Sequence, residues 1–245
     1  MDKIPLNIVL FKGPAFAGIL YGREINERVA FIVMEQTIQV RKSPYAKFFT
    51  ALFAGLLVAT IGLYVGQSIP RGFFFPLVIV ELIMIFMMVF ARKRKAIGFP
   101  LMFAFMFVSG ATLYPAISYY ISLLGADVVL RAFGITAFSF GAIAIYTMVS
   151  KRDFSFLGSF LFVSIIALIG LQILNFFFPA NGTAHLILSA FGIFIFVGYT
   201  LYDFSRLTLH GFSDREIPLL VVCIYLDFVN LFLYILEFLG VLSRD

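Results

Sequence analysis

Residues 217–240 read IPLLVVCIYLDFVNLFLYILEFLG, an apolar stretch with an aspartate near its middle. A bilayer-spanning helix needs about 20 mostly apolar residues, so this stretch is long enough to cross a membrane. Cys223, Asp227, Asn230 and Tyr234 follow helical spacing and form one polar stripe along it. A helix that is apolar on every other side suits the centre of a helix bundle.

The whole chain has the composition of a membrane protein. Its 245 residues are 62% hydrophobic and 13% charged, whereas soluble domains are roughly 45–50% apolar and about 25% charged. Seven apolar runs are long enough to span a bilayer: 46–67, 73–91, 98–124, 128–149, 155–178, 184–207 and 217–240. We therefore predict an all-α membrane protein whose seven transmembrane helices form one bundle.

The first 33 residues differ from the rest of the chain. Their apolar stretch is too short to span a bilayer and is interrupted by Lys12, Gly13 and Pro14. We expect residues 1–33 to be an N-terminal extension outside the fold, with Met34 as a functional start. Residues 34–245 are then the transmembrane domain.

The net charge of +5 is explained by membrane topology rather than by nucleic-acid binding. Cytoplasmic loops of membrane proteins carry an excess of lysine and arginine. From residue 34 onward, eleven of these residues lie on the side of the N-terminal flank and three on the other side. This distribution predicts a multi-pass protein of the cell membrane, with its N-terminus in the cytoplasm and its C-terminus outside.

Ionisable residues inside membrane spans are costly, and each is a functional candidate by default. Asp227 lies about 15 Å along span seven with no cation within one helical turn, so its partner must be a group on another helix or a proton. Glu81 lies near the middle of span two, and Arg92 lies on the same helix face at the cytoplasmic end. Asp203 lies near the cytoplasmic end of span six.

Three of these residues also have a purely structural explanation. Arg92 begins an Arg-Lys-Arg-Lys run, which typically sets topology at the inner leaflet. Asp203 can pair with Arg206 one turn later. Glu81 can be a protonated structural glutamate, whereas Asp227 has no comparable explanation.

Polar residues near the span ends are expected to face solvent. His185 and His210 fall in predicted loops, and Glu237 is close enough to the outer interface for its carboxylate to reach water. His210, near the cytoplasmic end of span six, can add pH sensitivity. Cys223 is the single cysteine, which excludes an internal disulfide.

Small residues recur at a spacing of four in spans one and four, as Gly55/Ala59, Gly62/Gly66 and Ala137/Gly141. This spacing lets two helices approach closely. Glycine is also common in membrane helices without such a role, so the sequence leaves both explanations open.

Four segments have a more specific pattern. They are RAFGITAFSF (131–140), KRDFSFLGSFLF (151–162), GYTLYDFSRL (198–207) and IYLDFVNLFLYILEFLG (224–240). Together they closely resemble the transmembrane Bax inhibitor motif family, and most strongly its bacterial members, which are proposed to be pH-sensitive calcium leak channels. The resemblance covers nearly all of the chain from about residue 34 to the end.

The resemblance implies a bundle in which six helices surround the last one. The paired aspartates of the family fall on Asp203 and Asp227, and the basic residue that latches to this pair falls on Arg92. These three residues are the expected pH-sensing and gating site, with the two aspartates as calcium ligands. Glu237 stands where many relatives carry a cation, so the outer mouth is expected to differ from theirs.

The expected chemistry follows from two carboxyl groups held close together in a low-dielectric interior. Both cannot ionise cheaply, so the pair shares a proton, and loss of that proton creates repulsion that a cation relieves. Arg92 or a calcium ion, which prefers oxygen ligands, can supply the charge. The remaining polar residues inside the spans are candidates for the ion pathway: Glu81, Asn230 and Tyr234.

The expected function is therefore a pH-regulated calcium leak channel. Its partners are the lipid bilayer, calcium ions and protons, with no nucleic acid and no cofactor beyond the transported calcium. A calcium/proton exchanger that uses the same residues is the alternative. A membrane scaffold in stress or cell-death responses ranks third, because the short loops leave little surface for a protein partner.

Enzyme classes and retinal proteins fit the sequence less well. A retinal protein needs a lysine in its last span, and no lysine follows Lys151. An intramembrane aspartyl protease also uses two aspartates, but its second normally follows Gly-x-Gly, whereas Asp227 follows Ile-Tyr-Leu. The His-Glu-x-x-His and Gly-x-Ser-x-Gly signatures do not occur, so we do not expect an enzyme.

Overall fold

The structure, a computed structural model, describes residues 44–91, 95–178 and 182–243. Residues 1–33 and Arg92 lie outside this described part, and so does the predicted role of each. The described residues form seven long helices: α1 (Pro44–Gly66), α2 (Phe74–Ala91), α3 (Lys95–Leu124), α4 (Ala126–Ser150), α5 (Leu157–Phe177), α6 (Gly182–Leu209) and α7 (Ile217–Leu242). Each is long and apolar enough to cross a membrane, which confirms the seven predicted spans.

Helix α7 is the central helix of the bundle. Over the most apolar 18 residues of each helix, 56% of the residues of α7 are buried, against 11–33% in the other six. Helices α1 to α4 and α6 pack directly against α7, and α5 packs against α6 and reaches α7 through Gln172, which lies beside Tyr234. The prediction that the C-terminal helix is surrounded by the other six is therefore confirmed.

Two apolar cores meet along α7. One contains Phe48 of α1, Phe105 of α3 and the first half of α7 up to Tyr225. The other contains Leu161 of α5, Ile195 of α6 and the second half of α7 from Leu231 onward. Asp227 lies between these two sets, so the central helix places its carboxyl group where one core ends and the other begins.

Glycines allow α1 and α3 to pack in close contact. A Cβ added at Gly110 would lie 1.9 Å from the carbonyl oxygen of Ala59, and one added at Gly62 would lie 2.1 Å from that of Phe107. The small residues of span one therefore form a helix contact. In span four, by contrast, a Cβ added at Gly141 meets nothing within 4 Å, so glycine has no packing role there.

The close packing of α1 on α3 makes Gly110 a sensitive position. We expect Gly110→Ala to destabilise the protein by about 1–3 kcal/mol or more, because backbone cannot yield as a side chain can. Thermal unfolding in detergent measures this change. The matched control is Gly134→Ala on α4, where an added Cβ meets nothing within 4 Å and alanine favours the helix. Equal effects of the two substitutions would contradict the close contact.

Candidate functional site

The structure brings Asp203 of α6 and Asp227 of α7 together. Their side chains lie within hydrogen-bonding reach of each other. Asp203 is 7% exposed and Asp227 is 5% exposed, so water is largely excluded from both. The Oδ2 atom of Asp227 is buried without a hydrogen-bond partner among the described residues. We refer to these two residues as the aspartate pair.

The contact within the aspartate pair requires a proton. An ionised carboxylate carries only acceptors, so two carboxyl groups can hydrogen-bond to each other only when one of them is protonated. Two negative charges at this separation repel strongly, because the buried interior screens them far less than water does. The geometry therefore suits one proton that the two carboxyl groups share. Loss of this proton leaves two negative charges side by side, which need a cation nearby.

Arg206 forms no ion pair with either aspartate of the pair. It is exposed, one turn after Asp203, and acts on Asp203 electrostatically without forming an ion pair with it. The simple pairing of Asp203 with Arg206 that the sequence allowed is therefore not what the structure has. Arg92, the other candidate cation, lies outside the described residues.

Tyr199 and Cys223 are further neighbours of the aspartate pair, and both lie one helical turn before an aspartate. Both aspartates lie close enough to Tyr199 for electrostatic interaction with it, and the same holds for Cys223. The hydroxyl of Tyr199 donates a hydrogen bond of 3.0 Å to the carbonyl oxygen of Leu161, which ties α6 to α5 beside the site. Sequence analysis missed Tyr199, although its spacing of four from Asp203 places both side chains on one helix face.

Glu81 lies in a separate polar cluster. Its Oε2 atom accepts a hydrogen bond of 2.8 Å from Thr112 of α3. Tyr225 of α7 lies close enough to Glu81 for electrostatic interaction, and its buried hydroxyl, beside Ser109, has no hydrogen-bond partner among the described residues. Residues two apart in a helix point about 200° apart, so Tyr225 and Asp227 face opposite sides of α7. Glu81 therefore does not join the aspartate pair.

Asn230 and Tyr234 each have partners of their own. The side-chain amide of Asn230 donates a hydrogen bond of 2.8 Å to the carbonyl oxygen of Leu226 in the same helix. The ring of Tyr234 stacks on Phe196 at 5.7 Å between ring centroids and packs against Gly192. Asp227 and Tyr234 both face α6, so the polar stripe of α7 is directed towards that helix.

A complete calcium site is not formed by the side chains that the structure describes. They include no cluster of three or more histidine, cysteine, aspartate or glutamate residues arranged to hold a metal. Calcium takes six to eight oxygen ligands, and the aspartate pair supplies at most four. A calcium ion at the pair therefore needs backbone oxygens or water as additional ligands.

Comparison with known proteins identifies the family. Residues 41–244 match the family model described as inhibitor of apoptosis-promoting Bax1. The chain belongs to the Bax inhibitor-1 family. It is 32% identical over 230 residues to an uncharacterized protein of Campylobacter jejuni, covering 90% of this chain and 96% of that one. It is 31% identical over 198 residues to Bax inhibitor 1 of Schizosaccharomyces pombe, covering 81% and 73% respectively.

A bacterial relative supports the membrane assignment. An uncharacterized membrane protein of Vibrio cholerae is 32% identical over 144 residues, which cover 58% of this chain and 63% of that protein. Together with the seven apolar helices, this likeness makes the present member of the Bax inhibitor-1 family a multi-pass membrane protein.

In this family member, a polar contact between His185 and Glu237 joins α6 and α7 at the end opposite the loop between them. His185 Nδ1 lies 2.9 Å from Glu237 Oε1, and the side chains are 31% and 20% exposed. The expectation of two solvent-facing residues was wrong. Helix α6 begins at Gly182, so His185 lies in its first turn rather than in a loop, and the antiparallel α7 places Glu237 beside it. His210 follows the end of α6, as predicted.

The contact between His185 and Glu237 is expected to stabilise the packing of α6 against α7, because it joins the two helices at the end opposite their connecting loop. A partly exposed pair contributes about 1 kcal/mol or less, which is about 2–4 °C of unfolding temperature for a chain of this size. Glu237→Gln, which removes the carboxylate, should therefore lower the unfolding temperature by up to this amount.

Asp127→Asn is the matched control for this measurement. Asp127 and Arg131 form an exposed pair within α4, with side chains 73% and 78% exposed and a separation of 3.9 Å. Its loss should change the unfolding temperature little. An effect of Glu237→Gln no larger than that of Asp127→Asn would show that the carboxylate does not stabilise the contact with His185.

Proposed function

We propose that this protein is a pH-regulated calcium leak channel gated by the proton that Asp203 and Asp227 share. The observation that carries the proposal is the contact between two buried carboxyl groups on adjacent helices, with one oxygen left without a partner. Such a pair changes its net charge when a proton enters or leaves. Because the pair joins α6 to the central helix, that change acts on the helix packing itself.

The proposed mechanism is competition among three cations for one site. With a shared proton, the carboxyl groups hydrogen-bond and hold α6 against α7. Without it, they repel until a positive charge approaches, either the guanidinium of Arg92 at the end of span two or a calcium ion. Each cation favours a different arrangement of spans two, six and seven, which makes the bundle a switch between packings.

The candidates for the ion pathway lie on two opposite faces of α7, and the proposed pathway passes the aspartate pair. Glu81 and Tyr225 lie on one face. The aspartate pair and Tyr234 lie on the other, and Asn230 belongs to the same stripe. Calcium is the cargo in this proposal, and the carboxylate oxygens are the ligands that a hard divalent ion prefers.

We place the protein in the cell membrane with its N-terminus in the cytoplasm. The support is the lysine and arginine distribution, together with the contacts at one end of the bundle. There the hydroxyl of Tyr45 donates a hydrogen bond of 3.1 Å to the carbonyl oxygen of Leu207, and Lys47 pairs with Asp214. The start of α1 and the loop between α6 and α7 therefore lie on one side of the membrane.

Removing the titratable group should remove the pH response. In proteoliposomes, Asp227→Asn cannot exchange a proton at that position, so we expect the calcium flux at pH 6 to equal that at pH 8. Asp203→Asn should have the same effect, because the switch belongs to the pair. Both substitutions preserve side-chain shape, and circular dichroism and gel filtration report whether the variants fold.

The control for the flux experiment is Asp127→Asn, which removes an exposed carboxylate from the start of α4. It should leave the pH response unchanged. An unaltered response in Asp227→Asn would remove this residue from the gating role.

Flux measured with and without a pH gradient separates the channel from the exchanger. We expect calcium to move only down its own gradient, at a rate that pH modulates. Uphill calcium movement driven by an imposed proton gradient would instead identify an exchanger. A folded, purified protein that passes no calcium under any condition would favour a scaffold role.

A further inference from the structure

A lateral groove of about 350 Å³ lies between α1 and α4, with walls from α3 and α7. Its volume falls in the range of ligand-binding pockets, about 300–1,000 Å³. Helices α1 and α4 do not contact each other anywhere in the described part of the chain. The groove therefore has no helix across its mouth and opens sideways from the bundle.

The chemistry of the groove suits a hydrocarbon chain. All of its lining residues lie inside the described membrane-spanning helices, and none of them carries a charge. Leu130 and Phe133, on the α4 side, are 70% and 47% exposed, so the apolar lining is continuous with the surface that faces the bilayer. The groove lies at the level of the second half of α1 and the first third of α4, in the half of the bundle that contains the end of α7.

Aromatic contacts connect the groove to the aspartate pair. Phe228 lines the groove next to Asp227 and packs edge-to-face with Phe140 at 5.4 Å between ring centroids. Phe140 packs in the same way, also at 5.4 Å, with Phe204, which follows Asp203. One ring of α4 thus contacts the residues that directly follow both aspartates. Phe140 therefore links the wall of the groove to the residues next to both aspartates.

We propose that this groove binds an acyl chain of a membrane phospholipid and that its occupancy biases the aspartate pair through Phe140. The second part rests on the gating role proposed above, whereas the binding does not. A chain in the groove contacts Phe228 and supports the packing of α4 on α7. An empty groove leaves that wall of the central helix without partner atoms, which costs dispersion contacts.

Photo-crosslinking tests the binding. The probe is a phosphatidylcholine with a diazirine on one acyl chain, added to proteoliposomes, and labelled peptides are mapped by mass spectrometry. We expect stronger labelling of the groove walls in α1 and α4 than of other bilayer-facing segments. Thr60→Phe places a ring at the mouth and should reduce this labelling several-fold.

Thr50→Phe is the matched control on the same helix. Both threonines are exposed on α1, and each hydroxyl bonds to the carbonyl oxygen four residues earlier at 2.8 Å, but only Thr60 lines the groove. Groove labelling that is no stronger than elsewhere, or that survives Thr60→Phe, overturns the proposal. The proposal is also overturned if a diazirine fatty acid labels the groove and the phospholipid does not. A second copy of the protein that shields the groove from labelling, as seen in a cross-linked dimer, overturns it as well.

Calcium flux tests the coupling separately. Thr60→Phe should shift the pH at which the calcium flux changes. In a protein that also carries Phe140→Leu, Thr60→Phe should no longer shift this pH. Loss of labelling with no shift overturns the coupling. If the folded wild-type protein conducts no calcium, the gating proposal fails, and the labelling result still decides whether the groove binds a phospholipid chain.

Discussion

The contact between Asp203 and Asp227 is the interaction on which the arrangement of the bundle depends. An aspartate at the middle of a membrane helix is costly, by about 2.5–3.5 kcal/mol on insertion scales. The protein meets this cost by placing the two carboxyl groups against each other inside the bundle instead of exposing them to lipid. This contact requires α7 to be central and α6 to lie beside it. The protonation of the pair therefore depends on how these two helices pack.

The rest of the fold holds α6 and α7 in register around the aspartate pair. At one end, the short connection after Leu209 joins the two helices directly, and Tyr45 of α1 bonds to the backbone of α6 beside it. At the other end, His185 of α6 meets Glu237 of α7. Between them, two apolar cores lie on either side of Asp227. A helix pair that is fixed at both ends and polar in between can change at the polar contact without losing its overall packing.

The sequence predicts the parts of this structure that depend on single helices. Span lengths follow from apolar runs, and the central position of α7 follows from its one polar stripe, because both properties are local. Contacts across helices depend on how each helix is rotated, which a single sequence does not encode locally. The pairing of His185 with Glu237 and the hydrogen bond from Tyr199 to Leu161 are of this kind. Predicting His185 as solvent-facing failed because its partner, Glu237, lies on a different helix.

The two faces of α7 explain how one helix can serve two polar clusters that do not touch. Asp227 faces α6, and Tyr225, two residues earlier, faces Ser109 and the Glu81–Thr112 contact between α2 and α3. Both clusters are attached to the same rigid backbone, so a rotation of α7 that separates the aspartates also moves the buried hydroxyl of Tyr225. Such a rotation also disturbs the stacking of Tyr234 on Phe196 and the contact between His185 and Glu237, which join the same two helices. The aspartate pair is therefore one of several contacts that resist the rotation.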